Sequence, residues 1–317
     1  MSGVVFLMGP TGVGKSALAC ALAASLPCEI VSVDSALIYR GLDIGTAKPN
    51  PLTRARFAHH LIDIRDVGES YSAAAFRADA RAAIAAIHAR GRLALLVGGT
   101  GLYFRALEHG LAELPPADPS VRARLAAELA CEGAERLHAR LRAADPTLAV
   151  RIHPHDPQRL LRALEIVALS GQSVSGLRAR ERLPGLQQPI VKVALLPADR
   201  RALRQRLARR FDAMLARGLV NEVAALRERG GVTATLPALR TVGYRDVWRY
   251  LEGEIDRAAM IERAVIATAQ LAKRQMTWLR RESGLVSLSA DDPTVIEQIQ
   301  RLLRDRGIFN TPKLGLE

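Results

Sequence analysis

An octapeptide near the start of the chain, Gly9-Pro10-Thr11-Gly12-Val13-Gly14-Lys15-Ser16, lies between the apolar run Val4 to Met8 and an alanine-rich stretch, Ser16 to Leu26, that stops at Pro27. The spacing G-x-x-x-x-G-K-[ST] between a strand and a helix specifies a phosphate-binding loop. Its glycines let successive backbone N–H groups turn inward around an anion, and the helix N-terminus adds positive potential. Lys15 then reaches the outer phosphates, and the Ser16 hydroxyl is the one placed to take Mg²⁺. Residues Gly9, Pro10, Thr11, Gly12, Val13, Gly14, Lys15 and Ser16 are therefore expected to hold a di- or triphosphate. Such a loop works only at the C-terminal edge of a parallel sheet, which constrains the rest of the chain.

The remaining sequence fits that constraint. Apolar runs at Glu29 to Val33, Leu61 to Ile64, Leu93 to Val97 and Ile190 to Leu196 read as further strands. Helical stretches such as Ser72 to Ala89 separate most of them, the alternation of a parallel α/β sheet. The expected fold is α/β, a P-loop NTPase-like parallel sheet core with a helical insertion domain. Between the fourth and fifth runs lie some 75 residues of short helical segments, opening with the turn-rich Leu114-Pro115-Pro116-Ala117-Asp118-Pro119. The expected division is a core of residues 1–112 and 189–285, an insertion of 113–188, and a C-terminal tail of 286–317 with no interpretable signal.

The 317 residues are 49% hydrophobic and 24% charged, which excludes a disordered or fibrous chain. Cys20, Cys28 and Cys131 form no metal-ligand or disulfide pattern, so a reducing cytoplasm is expected. Val4 to Met8 lacks a preceding basic segment and runs into Gly9-Pro10, so it is expected to be a strand rather than a secretion signal, and no membrane partner is expected. Net charge is +13. The window 151–210 holds 13 basic and 4 acidic residues, a concentration that suits either polyanion contacts or a solvated helix face.

Glu29 to Val33 delivers Asp34 to the ligand edge, where it can bind Mg²⁺, act as a general base or cap the following turn. The run Leu93 to Val97 ends in Gly98-Gly99-Thr100-Gly101 with no acidic residue, so a water-activating ATPase is poorly supported and transfer to another acceptor is favoured. Thr100 offers a hydroxyl between glycines, for a ligand or simply in a strand-to-helix turn. The adjacent pair His59-His60 cannot point two rings to one face of a strand and is assigned to packing.

Together, several segments resemble the tRNA isopentenyltransferase (dimethylallyltransferase) family. They are the phosphate loop, V-D-S-A-L-I-Y-R-G-L-D-I-G-T-A-K-P (33–49), H-H-L-I-D-I (59–64), V-G-G-T-G-L-Y (97–103), H-D-P-Q-R-L-L-R-A-L-E (155–165), R-T-V-G-Y-R (240–245) and Q-L-A-K-R-Q-M-T-W-L-R (270–280). The resemblance implies transfer of a dimethylallyl group from dimethylallyl diphosphate to the exocyclic amine of the adenosine 3′-adjacent to the anticodon, in tRNAs reading codons that begin with U. It implies Asp34 as general base and Arg210 on the diphosphate, with Lys15 and Thr100 also at the reaction site and Mg²⁺ as cofactor. It further implies tRNA contacts at Asp34, Ser35, Ala36 and Leu37, at Thr100 and Arg122, at Gln158, Arg159, Leu160, Leu161 and Arg162, and at Arg240, Thr241, Val242, Gly243, Tyr244 and Arg245. The insertion would grip the anticodon stem, and the adenine must leave its stack to reach Asp34. No cysteine follows Cys131, so the C-terminal zinc finger of the family's eukaryotic members is not expected and a bacterial-type, cytoplasmic enzyme is implied; a monomer is expected.

Three other readings share parts of this pattern. A small-substrate P-loop kinase would use the same loop but leaves the basic window unexplained. A prenyltransferase acting on free adenine nucleotides would not need the 155–165 block. A nucleotide-switched RNA-binding module would not need Asp34.

Overall fold

The structure is a computed structural model that describes residues 3–180 and 182–308. Among the described residues, six strands form one parallel sheet in the order β3-β2-β4-β1-β7-β8. They are β1 (Val4–Met8), β2 (Cys28–Val33), β3 (His59–His60), β4 (Leu93–Gly98), β7 (Ile190–Leu196) and β8 (Leu285–Ser289). A separate antiparallel pair joins β5 (Leu111–Ala112) to β6 (Arg182–Leu183). The core is a P-loop NTPase-like α/β sheet. Its central strands are buried along their whole length, and this explains why they read as unbroken apolar runs rather than alternating ones.

On one face, Val5, Leu7, Leu95 and Val193 pack with Leu18 and Leu22 of α1 (Lys15–Ser25). On the chain between β2 and β4 lie α2 (Pro51–Arg56) and α3 (Ala73–Ala89), the latter capped by Ser72, whose side chain accepts from Ala75 N–H. The next helix, α4 (Gly101–Glu108), carries Phe104, whose ring centroid is 4.9 Å from that of Phe6.

The chain divides into two compact units, Met1–Leu107 with Gln187–Glu317, and Glu108–Leu186, in each case among the described residues. Leu111 and Ala112, expected with the core, belong to the second unit because β5 pairs with β6 there. That unit contains α5 (Pro119–Glu132), α6 (Ala134–Ala144), α7 (Pro146–Ala149), α8 (Pro157–Ser170) and α9 (Val174–Ala179). Three of these helices open with Asp-Pro: the side chains of Asp118, Asp145 and Asp156 accept backbone N–H groups, and the following proline fills the first helical position. Leu125, Leu137, Leu141, Leu160 and Leu164 form a separate core.

After β7 the first unit continues through α10 (Arg200–Ala216), α11 (Leu219–Arg227), α12 (Tyr244–Leu251), α13 (Arg257–Leu279), β8 and α14 (Val295–Asp305). The expectation of a tail from 286 is corrected here. β8 extends the sheet beside β7, and α14 buries Val295, Ile299 and Leu303 against the α1 face of the sheet. Residues 309–317 lie outside the described residues. No helix among the described residues is long and apolar enough to cross a membrane.

The strand expected at Leu61 to Ile64 lies two residues earlier, at His59–His60. Leu61 and Asp63 adopt left-handed backbone, φ 62° and 57°, which ends the strand. Asp63 is held in this turn by Lys48 Nζ at 2.5 Å and Arg54 Nη1 at 2.6 Å. The two histidines serve packing: His59 Nδ1 meets the Phe57 carbonyl, and His60 Nε2 lies 2.7 Å from Glu29 Oε2.

Glu29 is 4% exposed, and hydrogen bonds from Arg90, outweighing its burial, hold its carboxyl at about 2 against an ordinary 4.5. A depressed carboxylate stabilises the fold above the unfolded value and loses that contribution as pH falls from 4.5 toward 2. Glu29→Gln is accordingly expected to lose about 1–3 kcal/mol at pH 7 in urea unfolding, with the gap to the parent closing at acid pH. Equal urea midpoints at pH 7 would contradict this.

Candidate active site

Register brings the site together. Val33 pairs with Gly98, and Gly98 pairs with Met8. The chain therefore leaves β2, β4 and β1 at the same height on three neighbouring strands. Asp34, the Gly99-Thr100 turn and the phosphate loop stand side by side at the C-terminal edge, where a parallel sheet binds its ligands. Thr100 N–H donates to the Val33 carbonyl at 3.3 Å, tying the second loop to the first.

In the phosphate loop, Gly14 holds φ 103° at the start of α1. Gly12 holds φ 79°, and a Cβ there would lie 2.5 Å from a Leu207 methyl of α10, so a larger residue would strain the backbone and displace that side chain. Two loop residues expected to hold phosphate contribute only through the main chain. Pro10 has no N–H, and its carbonyl instead accepts Lys15 Nζ at 2.7 Å; Val13 is 3% exposed and its side chain joins the core. Ser16 is exposed at the first turn of α1. Burial lowers the Lys15 ammonium to about 8; the nearby Asp34 carboxylate opposes that shift, and Arg210 adds to it.

Asp34 uses one oxygen for structure. Its Oδ1 accepts from Ala36 N–H at 2.8 Å and Leu37 N–H at 3.4 Å, while Oδ2 has no hydrogen-bond partner among the described residues. Arg210 is half-buried on α10 and has its guanidinium pKa lowered by burial and raised by Asp34, whereas its neighbour Arg209 is exposed. Lys15 and Arg210 thus both feel the charge of the Asp34 carboxylate. The Thr100 hydroxyl has no partner among the described residues, and the Thr100 carbonyl accepts from Tyr103 N–H at 3.0 Å as α4 begins.

Three residues that the sequence did not single out organise these loops. Gln275 of α13 accepts Thr11 N–H on Oε1 at 2.8 Å and donates from Nε2 to the Gly99 carbonyl at 3.1 Å. Glu222 of α11 gathers the N–H groups of Asp43, Ile44 and Gly45 and the Tyr244 hydroxyl, at 2.6–3.2 Å. Lys48 is buried among the Tyr39 carbonyl, Asp43 and Asp63. The last two brace the segment that follows Asp34. The only signal for Gln275 lay in its position within the 270–280 motif.

The residues expected to contact RNA fall into two groups. Ser35, Gln158, Arg159, Arg240 and Arg245 are exposed; Ala36, Leu37, Leu161, Thr241 and Val242 are half-buried. Arg122 and Arg162 both hydrogen-bond Glu165 Oε2, at 2.9 and 2.8 Å, so that buried carboxylate orients them. Leu160 and Tyr244 are corrected as side-chain contacts, since both are 0% exposed. Leu160 fills the core of the second unit, and the Tyr244 ring packs so tightly on Gly45 that a Cβ there would touch it. Gly243 is buried as well and turns the chain into α12 with φ 90°.

Residues 37–282 match the model of the IPP transferase family. The chain belongs to that family. The transferase of Alkalilimnicola ehrlichii named tRNA dimethylallyltransferase is 59% identical over 286 residues, covering 90% of this chain and 89% of that protein. Among solved structures, the full-length tRNA isopentenylpyrophosphate transferase of Bacillus halodurans is 35% identical with a TM-score of 0.69, covering 96% of this chain and 97% of that one. A eukaryotic dimethylallyltransferase acting on tRNA gives a TM-score of 0.80 at 27% identity, over 98% of this chain and 81% of that one. The family match begins at Leu37, beyond the phosphate loop and Asp34.

Proposed function

We propose that this IPP transferase moves a dimethylallyl group from dimethylallyl diphosphate to the exocyclic amine of the adenosine 3′-adjacent to the anticodon, in tRNAs reading codons that begin with U. It does so in the cytoplasm, as a monomer. The observation that carries this reading is the register that sets Asp34 beside the phosphate loop, at the adjoining ends of β2, β4 and β1. The loop holds the diphosphate as a leaving group. As the C–O bond to the allylic carbon breaks, negative charge grows on the diphosphate, and the inward N–H groups, Lys15 and Arg210 stabilise it. The adenine amine attacks the cation-like carbon and sheds a proton, which the free Oδ2 of Asp34 accepts.

The exposed Ser16 hydroxyl, an oxygen donor of the kind Mg²⁺ takes, would hold that ion at the first turn of α1. Bound there, the ion would add positive charge opposite the departing group. Thr100, adjoining the Asp34 turn, offers its unpaired hydroxyl to the flipped adenosine.

The inserted unit takes the anticodon stem through phosphate and shape contacts. Arg159→Glu is expected to weaken tRNA binding and reduce the salt slope of log K by about 1, because Arg159 is exposed and, among the described residues, pairs only with Asp156 at 3.5 Å. Filter binding across salt concentrations measures it, and an unaltered slope removes Arg159 from the interface.

The reading itself is tested by following pyrophosphate release from dimethylallyl diphosphate. Release that requires tRNA supports transfer. ATP turnover with a small hydroxyl acceptor, and none with the prenyl donor, would favour a kinase.

A further inference from the structure

We propose that Gln275 is a positioning residue that sets the spacing between the phosphate loop and the Thr100 turn, and through it the affinity for the diphosphate. The inference rests on the function proposed above.

The sheet stops holding these two loops just where they become functional. Backbone pairing between β1 and β4 ends at Met8 and Gly98. Beyond it, among the described residues, the next hydrogen-bonded connection between the two loops is a side chain. The Gln275 carboxamide accepts Thr11 N–H at 2.8 Å and donates to the Gly99 carbonyl at 3.1 Å, using one acceptor and one donor as a peptide group would. It acts as an extra rung of the ladder, supplied by a helix 264 residues away in sequence.

Both glycines of the second turn are shaped by the same helix face. A Cβ on Gly99 would collide with Gln275 Nε2, and one on Gly101 would lie 2.5 Å from the Trp278 ring. Gln275 and Trp278 are three residues apart and so share one face of α13. Trp278 in turn stacks on Phe104, with centroids 6.1 Å apart, which anchors that face against α4. Thr11 is the third residue of the phosphate loop, immediately before the N–H groups that would face the anion. If its peptide rotates, those N–H groups rotate with it, and preorganisation for the diphosphate is lost.

The test separates the two hydrogen bonds. Gln275→Leu keeps the volume and removes both. Gln275→Glu keeps the acceptor for Thr11 but places a carboxylate against the Gly99 carbonyl and near the anion. Titrating inorganic pyrophosphate with Mg²⁺ by calorimetry, we expect Kd to rise ~10-fold for Gln275→Leu and further for Gln275→Glu. KM for dimethylallyl diphosphate should follow, with tRNA affinity within ~2-fold of the parent. If Gln275→Leu fails to fold, the same pair of affinities is read on Gln275→Glu. Pyrophosphate affinity equal to the parent's would overturn the inference, as would pyrophosphate and tRNA affinities falling in equal proportion, since a general loosening of the fold does that. Prenyl transfer by the parent protein in the same preparation keeps the two claims apart. Its absence counts against the function. Its presence with unchanged pyrophosphate binding in the variants counts against Gln275 alone.

Discussion

Asp34→Asn is expected to lower kcat by ~10² to 10⁴ while tRNA affinity stays within ~2-fold. The size follows from what each oxygen does. Oδ1 is engaged by Ala36 N–H and Leu37 N–H, a turn cap that an asparagine carbonyl can preserve. Oδ2 is free, and in asparagine it becomes an NH₂ that cannot accept a proton. The substitution therefore removes the base and keeps the cap, which separates two of the roles that a strand-end aspartate could play. Single-turnover prenylation under saturating tRNA measures it. A rate equal to the parent's would make Asp34 a structural residue, and a parallel loss of tRNA binding would show that the turn had not survived.

Lys15→Met is expected to lower kcat/KM for dimethylallyl diphosphate by ~10² to 10³, the range for removing one donor aimed at developing negative charge. The ammonium donates to the Pro10 carbonyl, 2.7 Å away, so it is already pointed back over the loop. The same residue gives a pH signature. Burial lowers its pKa to about 8, so the cationic form that binds the diphosphate is lost as pH rises through that value. The parent's kcat/KM, a property of free enzyme, should fall on an alkaline limb near pH 8. In Lys15→Met that limb should be absent. A limb that persists unchanged in the variant would assign it to another group.

How much of this was legible in the sequence depends on how local each feature is. The phosphate loop, β1, β7 and the cap at Ser72 are encoded within a few neighbouring residues, and their bounds follow from the apolar runs and breakers alone. β3 was misplaced because its end is set by left-handed backbone at Leu61 and Asp63, fixed by the distant Lys48 and Arg54. β8 carries no apolar run because Leu285–Ser289 is a five-residue edge strand whose apolar residues are interrupted by serine, too short to show a period. Asp34 could be placed beside the loop from strand-end reasoning, and on α10 Arg210 is half-buried within reach of the Asp34 charge while Arg209 is exposed, as helical periodicity separates neighbours. Gln275 and Glu222 were invisible as organisers, since each acts on a loop more than 170 residues away. Leu160 and Tyr244 show the converse: both sit inside segments expected to contact RNA, yet both are core residues that shape the segments carrying their exposed neighbours.

The most direct test of the central claim is the position of the product. Purified protein is incubated with Mg²⁺, dimethylallyl diphosphate and an unmodified tRNA bearing adenosine at the last anticodon position and at the next. The RNA is then digested and sequenced by mass spectrometry. The expected result is one dimethylallyl group on the adenosine 3′ of the anticodon, and no product when AMP replaces the tRNA. Prenylated AMP, or unmodified tRNA with ATP consumed in its place, would contradict the account.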